Sequence, residues 1–259
     1  MAEIRLDKLL ANRSSYSRND VKMILKKGAV KIDGMTEYNG SRKINPDLQE
    51  VSCYGKKIIG GSHVYVLVNK PVGYICATED KMHKTVLELV PDDLKIKGLF
   101  PAGRLDIDST GLVLLTDDGE LAHRMLSPKS HVPKYYLVKL AHTLQHDAIE
   151  KLAEGVVLSD KTICLPAQTQ ALQDNYALIC LHEGKYHQVK RMFASLGNHV
   201  EFLHRVAIGG LVLPENLALG EHLEILHKDV EIMLKSESFQ VVCEQIMKRF
   251  SSYWINKRL

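Results

Sequence analysis

Asp106 and Asp108 stand two residues apart in the stretch Gly103-Arg104-Leu105-Asp106-Ile107-Asp108-Ser109-Thr110-Gly111, and the apolar run Leu112 to Leu115 follows at once. An ionised aspartate can serve as a general base or as a nucleophile. Loops held by strands are where such groups are commonly mounted. A hydrolase using both carboxylates is one chemistry open to the pair, but i, i+2 spacing gives no assurance that both face one substrate. The plainer role for a loop aspartate is to form a turn or cap a helix. Asp108 is read that way, capping the turn with Ser109 or Thr110.

Metal and redox chemistry find less support. Cys53, Cys76, Cys164, Cys180 and Cys243 are widely spaced, with no Cys-x-x-Cys pair. That argues against a disulfide framework and against a structural zinc site. Cys180-Leu181-His182, with His187 close by, invites a metal reading. Without tetrahedral ligand spacing, these residues are read as packing residues. Neither a metal nor an organic cofactor is expected.

The elements that must hold the aspartates follow from local pattern. Tyr65 to Lys70 reads as a buried strand ended by Pro71. The strand at 112–116 follows the aspartate loop. Asp117-Asp118-Gly119 leads into an amphipathic helix containing Leu121, Ala122, Met125 and Leu126. Lys134 to Leu140 is a further strand, and Thr143 caps a helix running to Glu154 and closed by Gly155. Short β-type segments continue through Ile179-Cys180-Leu181. A helix ends near Gly197, and His199 to Ile208 reads as a closing strand. Many strands with few helices imply an α+β body on a mixed, mainly antiparallel sheet.

The amino-terminal part differs in charge. Of the 259 residues, 1–60 carry a net charge of +5, while the remainder carries −2. Such a basic module suggests a polyanion docked at one end. Residues 4–12 read as a short helix with Leu6, Leu9 and Leu10 on its apolar side. Ser17 and Asp20 form a helix start, with Val21, Ile24 and Leu25 turned inward. Arg18, Lys22 and Lys26 recur every four residues and share the opposite face. Gly28 stops the helix, Val30 to Gly34 forms a strand and a turn, and Gly60-Gly61-Ser62 reads as a hinge. At the other end, Phe239, Val242, Ile246, Met247 and Phe250 recur at helical spacing, with Lys248 and Arg249 on the other side. This helix is expected to dock on the body; lying on a membrane surface is the alternative. No apolar run is long enough to span a bilayer, and no signal-peptide core opens the chain, so a cytoplasmic protein is expected.

Several of these segments carry a family resemblance. Gly103-Arg104-Leu105-Asp106, then Asp108-Ser109-Thr110-Gly111-Leu112-Val113-Leu114-Leu115-Thr116, resembles the catalytic segment of the bacterial rRNA pseudouridine synthases. The nearest likeness is to the branch that modifies small-subunit rRNA. Val68-Asn69-Lys70-Pro71-Val72-Gly73-Tyr74 resembles the opening strand of that catalytic domain. Glu183-Gly184-Lys185-Tyr186-His187-Gln188-Val189-Lys190-Arg191-Met192-Phe193 resembles its third motif. Arg5-Leu6-Asp7-Lys8-Leu9-Leu10 through Lys27 to Gly34 resembles the RNA-binding domain named after ribosomal protein S-four.

The resemblance implies two units, an S-four-like RNA-binding domain over 1–60 and a catalytic domain over 63–227, and residues 228–259 lie beyond it as an extension read as helical from its spacing. It implies isomerisation of uridine to pseudouridine in 16S rRNA, with uridine-516 the target most resembled. Asp106 becomes the essential carboxylate. It would either abstract a sugar proton to give a glycal-like intermediate or attack the sugar or base covalently. Tyr136 would stack on the extruded uracil and relay a proton. Lys190 takes the basic position after His-Gln-Val. Many relatives carry arginine there, so a bidentate pair with Asp106 is less available. Arg191 is the second choice for that pairing.

Arg104 would fill the gap left by the flipped nucleotide, since a base within a helix cannot otherwise reach a carboxylate. Arg5, Arg18, Lys22 and Lys26 would contact RNA backbone. The implied partner is 16S rRNA or a small-subunit assembly intermediate, met by a monomer with no cofactor and no membrane partner. Two alternatives are the same chemistry on a 23S rRNA uridine and a non-catalytic RNA-binding or assembly factor. The presence of Asp106 weighs against the second.

Overall fold

The Ser17 hydroxyl accepts the Asp20 N–H at 3.2 Å, and the Asp20 carboxylate accepts the Ser17 N–H at 2.8 Å. This reciprocal capping box satisfies two amides that a helix start leaves without partners. The computed structural model describes residues 3–13, 16–46, 48–58, 63–92, 94–127, 130–173, 175–235 and 237–256, the last seven as backbone alone. The proposed hinge at Gly60 to Ser62 lies outside the described residues.

Helix α1 spans Leu6–Asn12 and helix α2 spans Arg18–Lys26. The expected helix over 4–12 therefore starts two residues late. Ile4–Arg5 pairs as a short antiparallel strand with Lys43–Ile44, which carries Ile4 into the core. Beside the helices lies a four-stranded sheet in the order Met35–Thr36, Val30–Ile32, Val51–Cys53, Lys56–Ile58. Leu6, Leu9, Val21, Ile24, Val30, Ile32 and Val51 close one apolar cluster among these elements. Each such side chain contributes roughly 1.5–3 kcal/mol on full burial. Arg18, Lys22 and Lys26 are left exposed on the outer side of α2, and none forms a salt bridge among the described residues.

The body is a twisted sheet whose strands follow the order Gln168–Ala171, Tyr176–Leu181, Lys134–Leu140, Val200–Ile208, Thr110–Thr116, Tyr65–Lys70, His222–Glu224. Every neighbour along this path pairs antiparallel except Thr110–Thr116 with Val200–Ile208, which run parallel. Gly111 makes that parallel contact possible. Its φ is +107°, and a β-carbon there would lie 2.3 Å from the Arg205 carbonyl oxygen. No residue with a side chain fits.

Helices cover both faces of the sheet. One face packs on α4 (His146–Glu154) and α5 (Gln188–Ser195), through Leu152, Val189, Met192 and Phe193. The other packs on α3 (Gly119–Leu126), α6 (His227–Met233) and α7 (Phe239–Asn256), through Leu121, Met125, Val230, Met233, Val242 and Ile246. Leu126, expected on the inner side of α3, is 46% exposed. Thr143 does not cap α4, because the helix begins only at His146; its hydroxyl donates to Asn175 Oδ1 at 2.6 Å. Gln145 takes the cap position instead.

The last helix docks on the body as its spacing requires. Val242, Cys243 and Ile246 are buried, and the Arg249 guanidinium donates to the Val212 carbonyl at 3.0 Å. Among the described residues no helix is long and apolar enough to cross a membrane. Arg13, whose side chain is only 6% exposed, ties the amino-terminal elements to the sheet. It pairs with Glu224 at 3.1 Å and donates to the His63 carbonyl at 2.5 Å.

Candidate active site

The Asp106 loop leaves the edge strand Phe100–Pro101 and enters the central strand Thr110–Thr116. Its backbone is pinned at successive residues. Arg205 is buried in the neighbouring strand and donates from Nε to the Leu112 carbonyl at 2.7 Å and from Nη1 to the Arg104 carbonyl at 3.2 Å. The Leu105 N–H is received by Cys76 Sγ at 3.3 Å, and the Leu105 side chain packs into the core. The Ser109 N–H returns to the Asp106 carbonyl at 3.1 Å.

Lys70 anchors the same loop from its other side. Its side chain is fully buried at the end of the strand Tyr65–Lys70. The ammonium donates to the carbonyls of Tyr74 at 2.8 Å and Pro71 at 3.1 Å, with a longer contact to Ile107 O at 3.5 Å. Burial lowers its pKa to about 8, against the opposing pull of Cys76, Asp108 and Asp106.

Above this scaffold the charged groups converge. The Asp106 side chain remains 26% exposed. Its Oδ1 lies 3.4 Å from His187 Nε2, and its Oδ2 lies 3.6 Å from Lys190 Nζ. Lys190 also donates to Asp108 Oδ1 at 2.5 Å. Asp108 therefore does more than shape its own turn. It forms the second half of a carboxylate pair bridged by one ammonium. Burial opposes its ionisation, but the Lys190 hydrogen bond and charge outweigh it and hold its pKa below the ordinary carboxylate value.

His187 and Lys190 come from the start of α5. His187 occupies the left-handed region, with φ 47° and ψ 35°, a conformation uncommon outside glycine and asparagine. The preceding turn is built to impose it. Glu183 receives the Gln188 amide at 2.5 Å and the Leu165 N–H at 2.9 Å, and also pairs with Lys185. The Lys185 N–H is received by Gln188 Oε1 at 2.9 Å.

Arg191 does not share the role of Lys190. One residue further along α5, it turns to Asp160, with which it forms a close ion pair, and donates to the Tyr186 carbonyl at 3.3 Å. Arg104 is exposed, and its guanidinium makes no ion pair among the described residues. Tyr136 is 9% exposed, in one apolar cluster with Leu105, Cys76 and Val189. Its hydroxyl has no hydrogen bond among the described residues. Arg5 lies on a strand rather than a helix, 55% exposed and paired to Asp7 at 2.6 Å, so an RNA phosphate would compete with an existing partner. Cys180 Sγ lies 3.9 Å from His182 Nε2, while His187 turns to Asp106. Among the described residues no three His, Cys, Asp or Glu side chains converge to hold a metal.

His187, Lys70, Arg205 and Asp160 were missed as site residues by sequence reasoning. His187 and Lys70 stand inside recognisable segments, and a His-Arg pair within the buried strand Val200–Ile208 is itself a signal that polar contacts await there. Asp160 has no such local mark.

A half-buried carboxylate held against a lysine and a histidine, on a loop fixed by buried cations, is the equipment of an acid–base or nucleophilic enzyme. Residues 64–195 match the family described as RNA pseudouridylate synthase. An uncharacterised RNA pseudouridine synthase of Bacillus subtilis (strain 168), YtzG, is 40% identical over 89% of this chain and 98% of its own length. Ribosomal small subunit pseudouridine synthase A of Escherichia coli (strain K12) is 40% identical over 88% and 98%. A solved structure described as the crystal structure of pseudouridylate synthase aligns with a TM-score of 0.63 and 38% identity, over 89% of this chain and 99% of that one. The chain belongs to the RNA pseudouridylate synthase family.

Proposed function

We propose that this protein isomerises uridine to pseudouridine in the 16S rRNA of the small ribosomal subunit, at uridine-516, with Asp106 as the essential carboxylate. The observation that carries the reading is the Asp106 side chain, held between Lys190 and His187 on a loop that buried Lys70 and Arg205 fix from below. The names of the ribosomal small-subunit enzymes at about 40% identity support the choice of RNA.

In the reaction the bond from ribose C1′ to uracil N1 breaks, the base turns, and C5 bonds to C1′. The proton on C5 is lost, N1 gains one, and nothing is oxidised or reduced. Ionised Asp106 opens either route, by taking a sugar proton or by forming a covalent bond. Lys190 keeps a positive charge beside the carboxylate when the substrate expels water. Asp108 fixes that ammonium in place. Tyr136 presents its ring to the extruded uracil and its hydroxyl to the late proton transfer. Exposed Arg104 enters the space the flipped nucleotide leaves.

In this reading residues 1–60 form the RNA-docking unit, 63–227 the catalytic unit and 228–259 an extension that braces it. Arg18, Lys22 and Lys26 meet phosphates along the outer face of α2. The protein works as a monomer in the bacterial cytoplasm, on 16S rRNA or a small-subunit assembly intermediate. Mapping pseudouridine in rRNA from a strain lacking the protein tests activity and target together. The expected result is loss of the modification at uridine-516 alone. An unchanged map, or loss at a 23S position, would overturn the proposal.

A further inference from the structure

Tyr186 is 76% exposed, yet its ring is not loose. It stacks on the His187 ring with centroids 3.8 Å apart and planes 19° apart. Its carbonyl is held by Arg191, which is itself held by Asp160. The turn beneath is fixed by Glu183 and Gln188. His187 in turn reaches Asp106. One ring of the pair thus touches the candidate catalytic carboxylate, and the other presents an open face to solvent beside it.

Other exposed tyrosines, such as Tyr38 and Tyr54, stand away from the site, whereas Tyr186 is stacked on a His187 whose backbone is held in the left-handed region, a strained conformation that gathers at functional sites. Hydrophobic burial gives no reason for that placement. A nucleobase does. Every base has a π face, and single-stranded or unstacked nucleotides bind proteins through such platforms. Extruding a uridine unstacks its neighbours in the RNA, so a neighbouring base needs a new surface at the moment of flipping.

We propose that the Tyr186–His187 stack is a nucleobase platform, on whose outer face the base next to the flipped uridine stacks while His187 positions the Asp106 carboxylate. The inference rests on the reading of this site as an RNA-modifying one. It adds a substrate-contacting residue, Tyr186, and a positioning residue, His187. Stacking on the outer face also explains the rigid mounting, because a pre-formed ring gives up little conformational entropy on binding.

The test uses the full-length protein, a 16S rRNA fragment bearing the target uridine, and the same fragment with 2-aminopurine next to that uridine. With the wild-type protein, 2-aminopurine fluorescence should fall on binding, as the base stacks. Tyr186→Ala should abolish that quenching and weaken RNA affinity by on the order of 10-fold, with KM rising in step. Tyr186→Phe and Tyr186→Trp should restore both, since the face and not the hydroxyl is used. His187→Ala should lower kcat and shift its pH profile more than it changes affinity.

Two results would overturn the platform. One is wild-type quenching and affinity in Tyr186→Ala. The other is a Tyr186→Ala defect confined to kcat, which would make the ring a prop for His187 alone. Failure of the underlying functional reading looks different: rRNA from a strain lacking the protein would keep its full pseudouridine map.

Discussion

Lys70 offers the sharpest test of how this site is held. Its ammonium is fully buried, and its pKa is lowered from the ordinary 10.5 to about 8. Below pH 8 both the folded and the unfolded chain bind this proton. Between pH 8 and 10.5 only the unfolded chain does, so stability rises with pH across that window. At about 1.36 kcal/mol per unit, the full depression corresponds to roughly 3 kcal/mol. Lys70→Met removes the titration while keeping most of the side-chain volume. It also leaves the Tyr74 and Pro71 carbonyls without their donor, where hydrogen bonds to a charged group contribute about 1.5–3 kcal/mol each.

Urea unfolding of both proteins, followed by circular dichroism from pH 7.5 to 9.5, isolates the effect as a difference. The gap should move by roughly 2 kcal/mol in favour of the wild type over that range. Turnover at pH 7.5 should fall by about 100-fold in the variant, because the 3.5 Å tie to Ile107 O that steadies the Asp106 loop is gone. A gap that stays flat with pH would mean that Lys70 titrates like a solvated lysine. The argument from burial would then be refuted.

Asp106→Asn keeps the shape of the loop and removes the ionisable group, so isomerisation should vanish while melting and RNA binding stay near normal; turnover at the wild-type rate would end its catalytic assignment. Tyr136→Phe should melt normally and lose most turnover, whereas Tyr136→Ala, at 9% exposure in the core, should lose about 3–5 kcal/mol of stability and so says little about chemistry. Changing Arg18, Lys22 and Lys26 together to glutamine should reduce the magnitude of the log–log salt slope of RNA binding by roughly 2 to 3, and an unchanged slope would remove α2 from the RNA contact. Gly111→Ala should unfold the protein or cost several kcal/mol, because the Arg205 backbone stands where the methyl group would be; a variant with wild-type melting would show that the parallel pairing yields.

What the sequence made legible, and what it hid, divides by the range of the forces involved. The strand Lys134–Leu140 and the capping box at Ser17 are set by neighbours in sequence, and both lie where local pattern puts them. The α+β class followed from the count of strands and helices. The start of α1 was misread because Ile4–Arg5 is claimed by a strand near residue 44, a pairing no local rule reveals. Thr143 has a good capping side chain, but the helix starts at His146, beyond its reach, and its hydroxyl is used instead on Asn175, 32 residues away. In the site, the motifs led to Asp106 and Lys190. They did not reveal that Asp108 shares the ammonium, since that depends on how the loop turns toward α5. Arg191 and Lys190 are adjacent in sequence yet point to different acids, because successive helical residues lie about 100° apart.

The parallel pairing of Thr110 with His204 has a consequence for when the enzyme becomes active. The candidate site gathers Lys70, Asp106, His187, Lys190 and Arg205, and the end of its central strand nearest Asp106 is paired by the strand Val200–Ile208. Contacts of such long sequence separation form late, after the loop-closure entropy has been met. The amino-terminal module has no such debt, since its cluster lies wholly within residues 4–58. During synthesis that module can therefore fold while the remainder is still being translated, and in the proposed RNA-docking role it would meet RNA first. The surroundings of the Asp106 carboxylate are complete only after residue 208 has left the exit tunnel. Under the proposed function, a nascent chain would hold its substrate before it could alter it, and a truncated one would compete for RNA without modifying it.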